Sequence, residues 1–355
     1  MPIHPLDELD MRARINHVIS EFIADHRAAM SNISPDVLAL VDSLSDLMDG
    51  GKRLRPAFAY WGYRSTGAPD NDQIIKASAS LEFLQACALI HDDVMDDSDT
   101  RRGKPAVHKQ FTSLHQNHEW RNSSARFGDG SAILVGDLAL SWSDELLLTS
   151  GFNHDQTSRA KKVFDIMRTE LMAGQYLDLL EQVRGNTTVE TSRTVIRYKS
   201  AKYTIERPLH MGAAIAGADA HHLQVLSDYG LALGEAFQLR DDVLGVFGDA
   251  IVTGKPAGDD LREGKETMLV AYTRELASPE ALKSFNKLFG LADLNRDQIL
   301  ELQEIMTTCG ALAQIEEQIE ALTALALDSL QDATIAPEAR EALQLLAIMA
   351  TKRES

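Results

Sequence analysis

The sequence predicts an all-α protein, a closed bundle of about ten or more helices with a ligand site between facing helices. Apolar residues recur at spacings of three and four, for example at Leu312, Ile315, Ile319 and Leu322, which is the period of a buried helix face. Alternating patterns typical of strands are almost absent. The 10 prolines lie mainly at the edges of the periodic segments, where they mark helix ends rather than the turns of a β fold.

Nothing in the sequence divides the chain into separate units. No Pro/Gly/Ser-rich linker or change of composition interrupts residues 1–355, so we expect one large helical domain. Residues 115–130 and 248–265 are polar, and we predict a long loop between helices in each of them. There is no internal repeat of fixed period, which disfavours a solenoid.

The charge balance excludes some classes of partner. The chain has 35 Lys and Arg against 53 Asp and Glu, a net charge of −18, which opposes binding to nucleic acid and favours a cation.

The sequence also bears on the location of the protein. No run of about 18 apolar residues occurs, so we expect neither a signal peptide nor a transmembrane helix. The two cysteines, Cys87 and Cys309, lie in apolar segments and indicate a reduced compartment, the cytoplasm.

The first candidate functional motif is an acidic cluster at the end of an apolar helix, in the segment LEFLQACALIHDDVMDDSDTRRG. Asp92 and Asp96 are four residues apart, which places them on one helix face within reach of the same ion. Asp93, Asp97 and Asp99 crowd around them, and the cluster costs stability unless cations neutralise it. Mg²⁺ suits such a site because it takes one or two protein carboxylates together with substrate phosphates. Alone, the cluster is equally typical of a solvated acidic helix end.

A second acidic cluster ends another long apolar helix, at Asp241 and Asp242 in AFQLRDDVLGVFGD. Aspartate rarely continues a buried helix without a partner. Two such clusters that face each other across a bundle can hold a diphosphate through bridging metal ions, with one cluster on each wall of the site.

Basic residues accompany both acidic clusters. Lys52 and Arg55, in GGKRLRP, lie near a predicted helix start, where cationic side chains and free backbone N–H groups favour phosphate. Arg101 and Arg102 directly follow the first cluster. Further cations occur at Lys199, Lys255 and Lys265. We expect the glycine-containing segment TGKPAGDDLREGK to close over a ligand. Each cation alone is also explained as a surface charge, but their alternation with carboxylates favours a phosphate site.

In their order along the chain, these motifs resemble those of the trans-isoprenyl diphosphate synthases, the family of the geranylgeranyl and farnesyl diphosphate synthases. The matching motifs are GGKRLRP, DDVMD followed by RRG, GQYLD, KS, FQLRDD and GKPAGDDLREGK, within residues 50–265. The resemblance implies an isoprenoid synthase fold around a central elongated cavity, which C-terminal helices within residues 266–350 complete. It also implies a magnesium-dependent prenyltransferase that condenses isopentenyl diphosphate with dimethylallyl, geranyl or farnesyl diphosphate.

The same resemblance assigns roles to individual residues. The implied ligands of Mg²⁺, with about three ions per active site and Mn²⁺ as a substitute, are Asp92, Asp96 and Asp241. The implied contacts of isopentenyl diphosphate are Lys52, Arg55, Gln85 and Arg102. Those of the allylic diphosphate are Arg101, Lys199, Ser200, Gln238, Lys255 and Lys265. Catalysis is implied for Asp92, Asp96, Arg101, Lys199 and Lys255.

The chain departs from the family pattern at two positions. The second acidic motif of the family commonly ends in a third aspartate, but this position is Gly245 here, which puts one outer or water-mediated metal contact in doubt. The lysine-threonine pair of the family is replaced by Lys199 and Ser200, which preserves a hydroxyl group.

The residues beneath the first acidic cluster bear on product length. A helix rises about 5.4 Å per turn, close to the length of one extended isoprene unit, so the growing chain can be counted in turns. The small residues Cys87 and Ala88 lie one turn behind Asp92, and Leu84 lies two turns behind it. We therefore expect the C20 product, geranylgeranyl diphosphate, with farnesyl diphosphate or a longer product as alternatives.

Glycines on the opposite helix allow two interpretations. Gly234 and Gly230 lie one and two turns before Gln238, where they leave room for a long tail. Mid-helix glycine costs about 1 kcal/mol relative to alanine, so it needs a reason. Close packing between helices is the other explanation.

Two other functions share some of these features. A terpene cyclase has an all-helical frame and a DDxxD cluster, but it binds no isopentenyl diphosphate and has no use for GGKRLRP. A non-catalytic subunit of a heteromeric synthase acts by binding alone and is expected to have lost carboxylates that are all present here. The resemblance also leads us to expect a homodimer.

Overall fold

The structure, a computed structural model, describes residues 10–248 and 258–352 and is almost entirely helical over these ranges, which confirms the all-α prediction. The α-helices of its first half are α1 (Met11–Ser31), α2 (Leu38–Met48), α3 (Leu54–Arg64), α4 (Asp72–Met95), α5 (Val107–Asn117), α6 (Ser124–Leu148) and α7 (His154–Arg184). Those of its second half are α8 (Val189–Val195), α9 (Arg207–Ala216), α10 (Ala220–Phe247), α11 (Asp259–Glu263), α12 (Met268–Leu276), α13 (Pro279–Leu288), α14 (Arg296–Thr308), α15 (Ala311–Ser329) and α16 (Pro337–Thr351).

A 3-10 turn, a short β-hairpin and a π-helix complete the fold. A 3-10 turn (Pro35–Val37) precedes α2, and a hairpin of two-residue antiparallel strands, β1 (Thr100–Arg101) and β2 (Lys104–Pro105), follows α4. Between α8 and α9 the chain continues as a π-helix (Ile196–Glu206), so residues 189–216 form one uninterrupted helical segment. Long π-helices are rare and often lie at functional sites.

Polar caps set the starts of the two helices that carry the acidic clusters. Asn71 Oδ1 accepts a hydrogen bond from the Ile74 N–H (2.9 Å) at the start of α4. Asp219 Oδ1 accepts one from the His222 N–H (2.8 Å) at the start of α10. Each cap contributes about 1 kcal/mol. Both helices then run through the apolar core and carry an acidic pair in their last two turns.

The core consists of two apolar clusters that share α10. Large side chains without exposed surface, including Trp61, Phe83 and Phe164, fill the first cluster among α3, α4 and α7. The second cluster lies among α10 and the C-terminal helices and contains Leu239 and Phe285. The single domain over 1–355 stays a prediction.

Close contacts between helix backbones depend on glycine. A Cβ added to Gly212 on α9 would lie 1.8 Å from the Ala59 carbonyl oxygen on α3. A Cβ added to Gly234 would lie 2.6 Å from Ala201 Cα, and one added to Gly230 would lie 2.8 Å from the Cα of Glu206. Gly230 and Gly234 therefore pack α10 against the π-helix. They do not widen a tail cavity.

The predicted loop over residues 115–130 is wrong. α5 extends into this range and α6 begins within it, so the connection between them spans only 118–123. The Ser123 hydroxyl oxygen accepts a hydrogen bond from a backbone N–H in the first turn of α6, which stabilises the early helix start. Trp120 packs edge-on against Phe127, with ring centroids 5.4 Å apart, so this polar stretch has its own aromatic contacts.

The second predicted loop, over residues 248–265, contains a helix in its described part, so the prediction is wrong there. Residues 258–265 contain the short helix α11. Residues 249–257, with the predicted site residue Lys255, lie outside the described part of the chain.

One helix of the described residues, α4, is long and apolar enough to cross a membrane by length and composition alone. Because 72% of its most apolar window is buried inside the protein, α4 is placed as the core helix of a globular fold.

Candidate active site

A cavity of about 460 Å³ lies where the ends of α4 and α10 meet the π-helix, α7 and the start of α3. Many of the predicted site residues line it. They are Lys52, Arg55, Gln85, Ala88, Asp92, Arg102, Lys199, Ser200, Gln238 and Asp241. The structure thus brings residues from five separate segments into one cavity.

Asp92 carries the negative charge of the α4 wall. Its carboxylate accepts hydrogen bonds from Lys199 Nζ (3.1 Å) and Gln175 Nε2 (2.8 Å), and the Arg101 guanidinium lies 3.7 Å away. Burial alone would raise the pKa of Asp92, but these three neighbours outweigh burial and hold the pKa below its usual value. Asp92 is therefore ionised at neutral pH.

Lys199 connects the π-helix to two other helices. Besides Asp92, its Nζ donates a hydrogen bond to Asp178 Oδ2 on α7 (2.6 Å). The approach requires Gly174, one turn before Asp178, because a Cβ at that position would lie 2.4 Å from the Lys199 backbone nitrogen. The predicted motif GQYLD thus has a structural role, since it accommodates Lys199 and orients it.

Asp93 does not face the cavity, although it is adjacent to Asp92. Its side chain is almost fully buried, and it accepts a hydrogen bond from Arg101 Nε (2.9 Å). Burial raises the pKa of Asp93, and Arg101 offsets part of that effect. Arg101, predicted from sequence to contact the allylic diphosphate, is thus fixed by Asp93 at the edge of the α4 wall.

The remaining aspartates of the first cluster lie further out. Asp97 and Asp99 are exposed and form ion pairs with Lys109 at 2.8 and 3.0 Å. Asp96 is exposed at the C-cap of α4 and is not part of the cavity lining. Of the two predicted metal-binding aspartates on α4, the structure therefore brings Asp92 to the cavity and leaves Asp96 at its rim.

The opposite wall is formed by the end of α10. Asp241 lines the cavity, whereas Asp242 is buried and accepts a hydrogen bond from Gln238 Nε2 (2.8 Å). Burial raises the pKa of Asp242 to about 7, although Lys265 and Gln238 both oppose the shift. Lys265 and Asp242 line a smaller cavity of about 140 Å³, which shares Asp92 and Gln238 with the main cavity.

Cations dominate the other end of the main cavity. Arg55 lies over the Tyr203 ring, 4.3 Å from its centroid, and donates a hydrogen bond to Thr204 Oγ1 (2.8 Å). The Tyr203 hydroxyl donates to Gln85 Oε1 (2.7 Å), which orients the Gln85 amide. Arg102 donates to the Leu47 carbonyl oxygen (2.9 Å). With Lys52, these groups form a basic end that is distinct from the two acidic walls.

Two charged residues of this basic end were missed by the sequence analysis. Arg53 and Glu82 both line the cavity and form a buried ion pair, and Arg53 also donates hydrogen bonds to Asn16 Oδ1 and to the Met48 carbonyl oxygen. The pair joins a turn to the middle of α4. Glu82 lies ten residues before Asp92 in an apolar helix. An acidic residue within an apolar helix needs a buried partner, and this feature of the sequence could have identified Glu82 as a candidate site residue.

Uncharged lining residues were also missed, and those that bear on the shape of the cavity are Leu171, Tyr203, Thr204 and Phe237. Tyr203 and Thr204 lie four residues after Lys199 and Ser200, and that spacing alone indicates one helix face. The π-helix strengthens the alignment, because its i to i+5 bonding places residues four and five apart on the same side.

The three predicted chain-length residues occupy different places. Ala88 lines the main cavity, together with Leu171 and Phe237. Leu84 and Cys87 are buried and do not line it. The Cys87 sulfur lies 3.7 Å from His91 Nδ1, on a face of α4 turned away from the cavity.

The acidic walls fit a hard divalent cation that is shared with a phosphorylated ligand. Among the described residues, no three His, Cys, Asp or Glu side chains converge on a closed metal site. Asp92 and Asp241 instead present carboxylates from opposing walls of one cavity. Such an arrangement is typical of Mg²⁺ sites in proteins, because Mg²⁺ takes one or two protein carboxylates and completes its coordination with water and substrate phosphates.

Comparison with known proteins gives a consistent result. A family model described as Polyprenyl synthetase matches residues 38–306. Geranylfarnesyl diphosphate synthase of Aeropyrum pernix is 32% identical over 337 residues, 94% of this chain and 96% of the relative. Geranylgeranyl diphosphate synthase of Sulfolobus acidocaldarius is 32% identical over 280 residues, 78% of this chain and 79% of the relative.

A solved structure resembles the chain more closely still. It is a geranylgeranyl pyrophosphate synthase from Corynebacterium glutamicum, complexed with isoprenyl diphosphate and magnesium. The two chains are 39% identical, with a TM-score of 0.93, and the match covers 97% of this chain and 99% of that one.

We predict that the first acidic cluster contains one structural and one dispensable aspartate. Asp93→Ala leaves Arg101 without its main partner and should lower the free energy of unfolding by about 3 kcal/mol. Asp97→Ala, in the same cluster but with an 85% exposed side chain, should lower it by less than about 1 kcal/mol. Urea denaturation followed by circular dichroism measures both values. Equal losses for the two variants would contradict the assignment.

Proposed function

This chain belongs to the polyprenyl synthetase family, and we propose that it makes geranylgeranyl diphosphate, the C20 product, from isopentenyl diphosphate and allylic diphosphates. It is a prenyltransferase of the short-chain trans-prenyl diphosphate synthase class. The observation that carries the proposal is a single cavity with an acidic wall on each of α4 and α10 and a separate basic end. Two charge environments in one cavity suit two diphosphates, with one bound through metal ions and one bound directly.

The acidic walls are proposed as the site of the allylic diphosphate. The family uses a divalent metal, and we propose that about three Mg²⁺ ions are held by Asp92, Asp96 and Asp241, with Mn²⁺ as a substitute. When bound, Mg²⁺ supplies positive charge that stabilises a departing diphosphate by several kcal/mol. Asp92 supports this assignment, because it is ionised and faces Asp241 across the cavity.

Cationic side chains are proposed to act on the same leaving group. The reaction breaks the bond between the allylic carbon and its diphosphate oxygen, joins that carbon to the isopentenyl double bond and releases a proton to the diphosphate. Lys199, Arg101 and Lys265 would donate hydrogen bonds to the departing oxygens, each worth on the order of 3 kcal/mol where water is excluded. Lys255 has the same proposed role but lies outside the described residues. Ser200 and Gln238, which line both cavities, would orient the diphosphate.

The basic end is proposed as the site of isopentenyl diphosphate. Lys52, Arg55 and Arg102 line it, and Gln85 is oriented there by the Tyr203 hydroxyl. Holding both substrates in one cavity can contribute up to roughly 7–11 kcal/mol to catalysis when the geometry is well set. No protein nucleophile or base is needed.

Ala88 is the residue we propose to limit product length. It is the only one of the three predicted chain-length residues that lines the described cavity, and its small side chain leaves space beside Leu171 and Phe237. That space supports a product longer than C15. Cys87 and Leu84 point into protein rather than into the cavity, so we assign them no direct role in product length.

We also propose a homodimer through the outer faces of α6 and α7. Exposed apolar side chains recur at spacings of four and seven residues on α7, at Met172, Tyr176 and Val183, and Leu134 is exposed on α6. The two helices are neighbours, because Asp144 on α6 binds Lys161 and Arg168 on α7 at 3.3 and 3.1 Å. An apolar face on two neighbouring helices can pair with the same face of a second copy under twofold symmetry, so a second copy of the chain is its proposed partner.

A cytoplasmic location is proposed as well. Cys87 and Cys309 are both free thiols in the structure, and Cys87 is buried. Proteins with free, unpaired thiols are typical of a reducing compartment.

Metal dependence is the first test of the proposed function. Pure protein should consume labelled isopentenyl diphosphate with C5, C10 and C15 primers when Mg²⁺ is present, and EDTA should abolish turnover. Asp92→Asn and Asp241→Asn should each lower kcat by about 100-fold or more. Asp129→Asn, an exposed aspartate on α6, is the matched control and should leave kcat unchanged. Turnover that survives EDTA, or that requires the addition of a different protein chain, would contradict the proposal.

Product length is the second test. Ala88→Phe should shift the main product from C20 to C15 or shorter, because the ring fills the cavity one turn below Asp92. Cys87→Phe adds the same ring at the next position but on the face of α4 that points away from the cavity. It should lower stability without changing the product spectrum, as measured by chromatography of the dephosphorylated products. A shorter product from Cys87→Phe alone would place the limit elsewhere.

The proposed dimer is tested with charged substitutions. Leu134→Glu combined with Met172→Glu should convert the dimer into monomers, as measured by light scattering after gel filtration. Leu325→Glu on α15 removes a leucine that is 61% exposed, similar to Leu134, but on a different helix, and it should leave the molar mass unchanged. A wild-type protein that is monomeric at micromolar concentration would contradict the dimer proposal.

A further inference from the structure

Gly245 lies in the last turn of α10, and no backbone conformation demands a glycine there. Its φ angle is outside the left-handed region, so an L side chain could adopt the same backbone. Glycine within a helix is disfavoured relative to alanine, by up to about 1 kcal/mol in the helix interior. The reason for this glycine must therefore lie in the space beside it.

A carboxylate from another helix fills that space. A Cβ added to Gly245 would lie 2.1 Å from Asp260 Oδ2 and 2.5 Å from Asp260 Cγ. Asp260 is in the first turn of α11 and is 6% exposed. The position at which related sequences commonly carry a third aspartate thus has a carboxylate beside it, but the carboxylate comes from a different part of the chain.

Asp260 is held firmly in this place. α11 begins after Gly258 (φ 72°) and ends at Gly264 (φ 67°), and both lie in the left-handed region. Between them, Leu261 is completely buried, and its carbonyl oxygen accepts a hydrogen bond from the Gly290 N–H (2.9 Å). The Asp260 side chain therefore has little freedom to leave the α10 surface.

The group that Asp260 faces is Lys265. Lys265 Nζ lies 3.8 Å from Asp260 Oδ2, and the Lys265 backbone N–H donates a hydrogen bond to the Asp260 carbonyl oxygen (3.0 Å). Asp260 is also the largest cause of the raised pKa of Lys265. Lys265 lines the smaller cavity with Asp92, Lys199 and Asp242, so it stands between the two acidic walls.

We infer that Asp260 is a positioning residue that takes the place of the absent third aspartate of the second acidic motif and holds the Lys265 ammonium at the site of the allylic diphosphate. The inference rests on the proposed function of that site. Gly245 and Asp260 form a matched pair, because a side chain at position 245 cannot coexist with the Asp260 carboxylate in its present place. Asp260 acts through Lys265 and does not itself contact the substrate.

A role in positioning is distinct from a role in the stability of α11. Acidic residues in the first turn of a helix favour the helix dipole, and Asp259 lies in the same turn. Asp259→Asn makes the same chemical change to that dipole without removing the group beside Lys265. It is therefore the control for every measurement on Asp260→Asn.

The test compares these two variants with Lys265→Met. Asp260→Asn should raise KM for the allylic diphosphate at least tenfold, change KM for isopentenyl diphosphate less than twofold and leave the melting temperature close to that of Asp259→Asn. The double variant Asp260→Asn/Lys265→Met should be no worse than Lys265→Met alone, because residues that act as a unit are not additive. Full additivity of the two effects would overturn the inference.

Two further measurements do not depend on turnover. Calorimetry with inorganic pyrophosphate and no Mg²⁺ should give an affinity at least fivefold weaker for Asp260→Asn than for Asp259→Asn. Gly245→Asp should also weaken pyrophosphate binding, and Gly245→Asp/Asp260→Ala should recover most of the loss, because the new carboxylate then has room beside Lys265. Equal affinities for all variants, in a wild-type enzyme that turns over, would refute the role of Asp260 and leave the proposed function intact. A wild-type enzyme that does not turn over would instead refute the proposed function.

Discussion

The ammonium of Lys199 contacts carboxylates from two other helices, Asp92 at the end of α4 and Asp178 on α7. Without a cation between them, two partly buried carboxylates this close would repel each other, and burial would favour their neutral forms. Because Lys199 comes from the π-helix, the charge of the acidic wall and the path of that helix depend on each other. The wall formed by α10 also has a cation between carboxylates, because Lys265 lies near both Asp242 and Asp260.

Site residues that lie on the same helix could be predicted from sequence, because their spacing shows that they share a helix face. Gln85 and Asp92 are seven residues apart, about two turns, and both line the cavity. The periodicity that predicted the helices also predicted that the two acidic pairs would end buried helices. That the two ends meet at one cavity came from the family resemblance, since no local pattern relates α4 to α10.

Other parts of the site depend on geometry that spacing alone does not contain. Counting turns gives the height of a residue along α4 but not the direction of its side chain, and neighbours such as Cys87 and Ala88 point about 100° apart. Only Ala88 reaches the cavity for this reason. The Arg53–Glu82 pair joins distant segments. Gly230 and Gly234 meet the π-helix backbone, which could be found only once the path of that helix was known.

The π-helix itself has a consequence for the order in which the protein forms. In an α-helix, Lys199 and Thr204 would be about 140° apart around the axis, so they could not share one cavity wall. A π-helix is rarely stable on its own, and this one is kept in place by α7 and α10, which approach its backbone at Gly174 and Gly234. An excised peptide of residues 189–216 should therefore not reproduce the wall. The binding surface is a late product of folding, created only when the surrounding helices have docked.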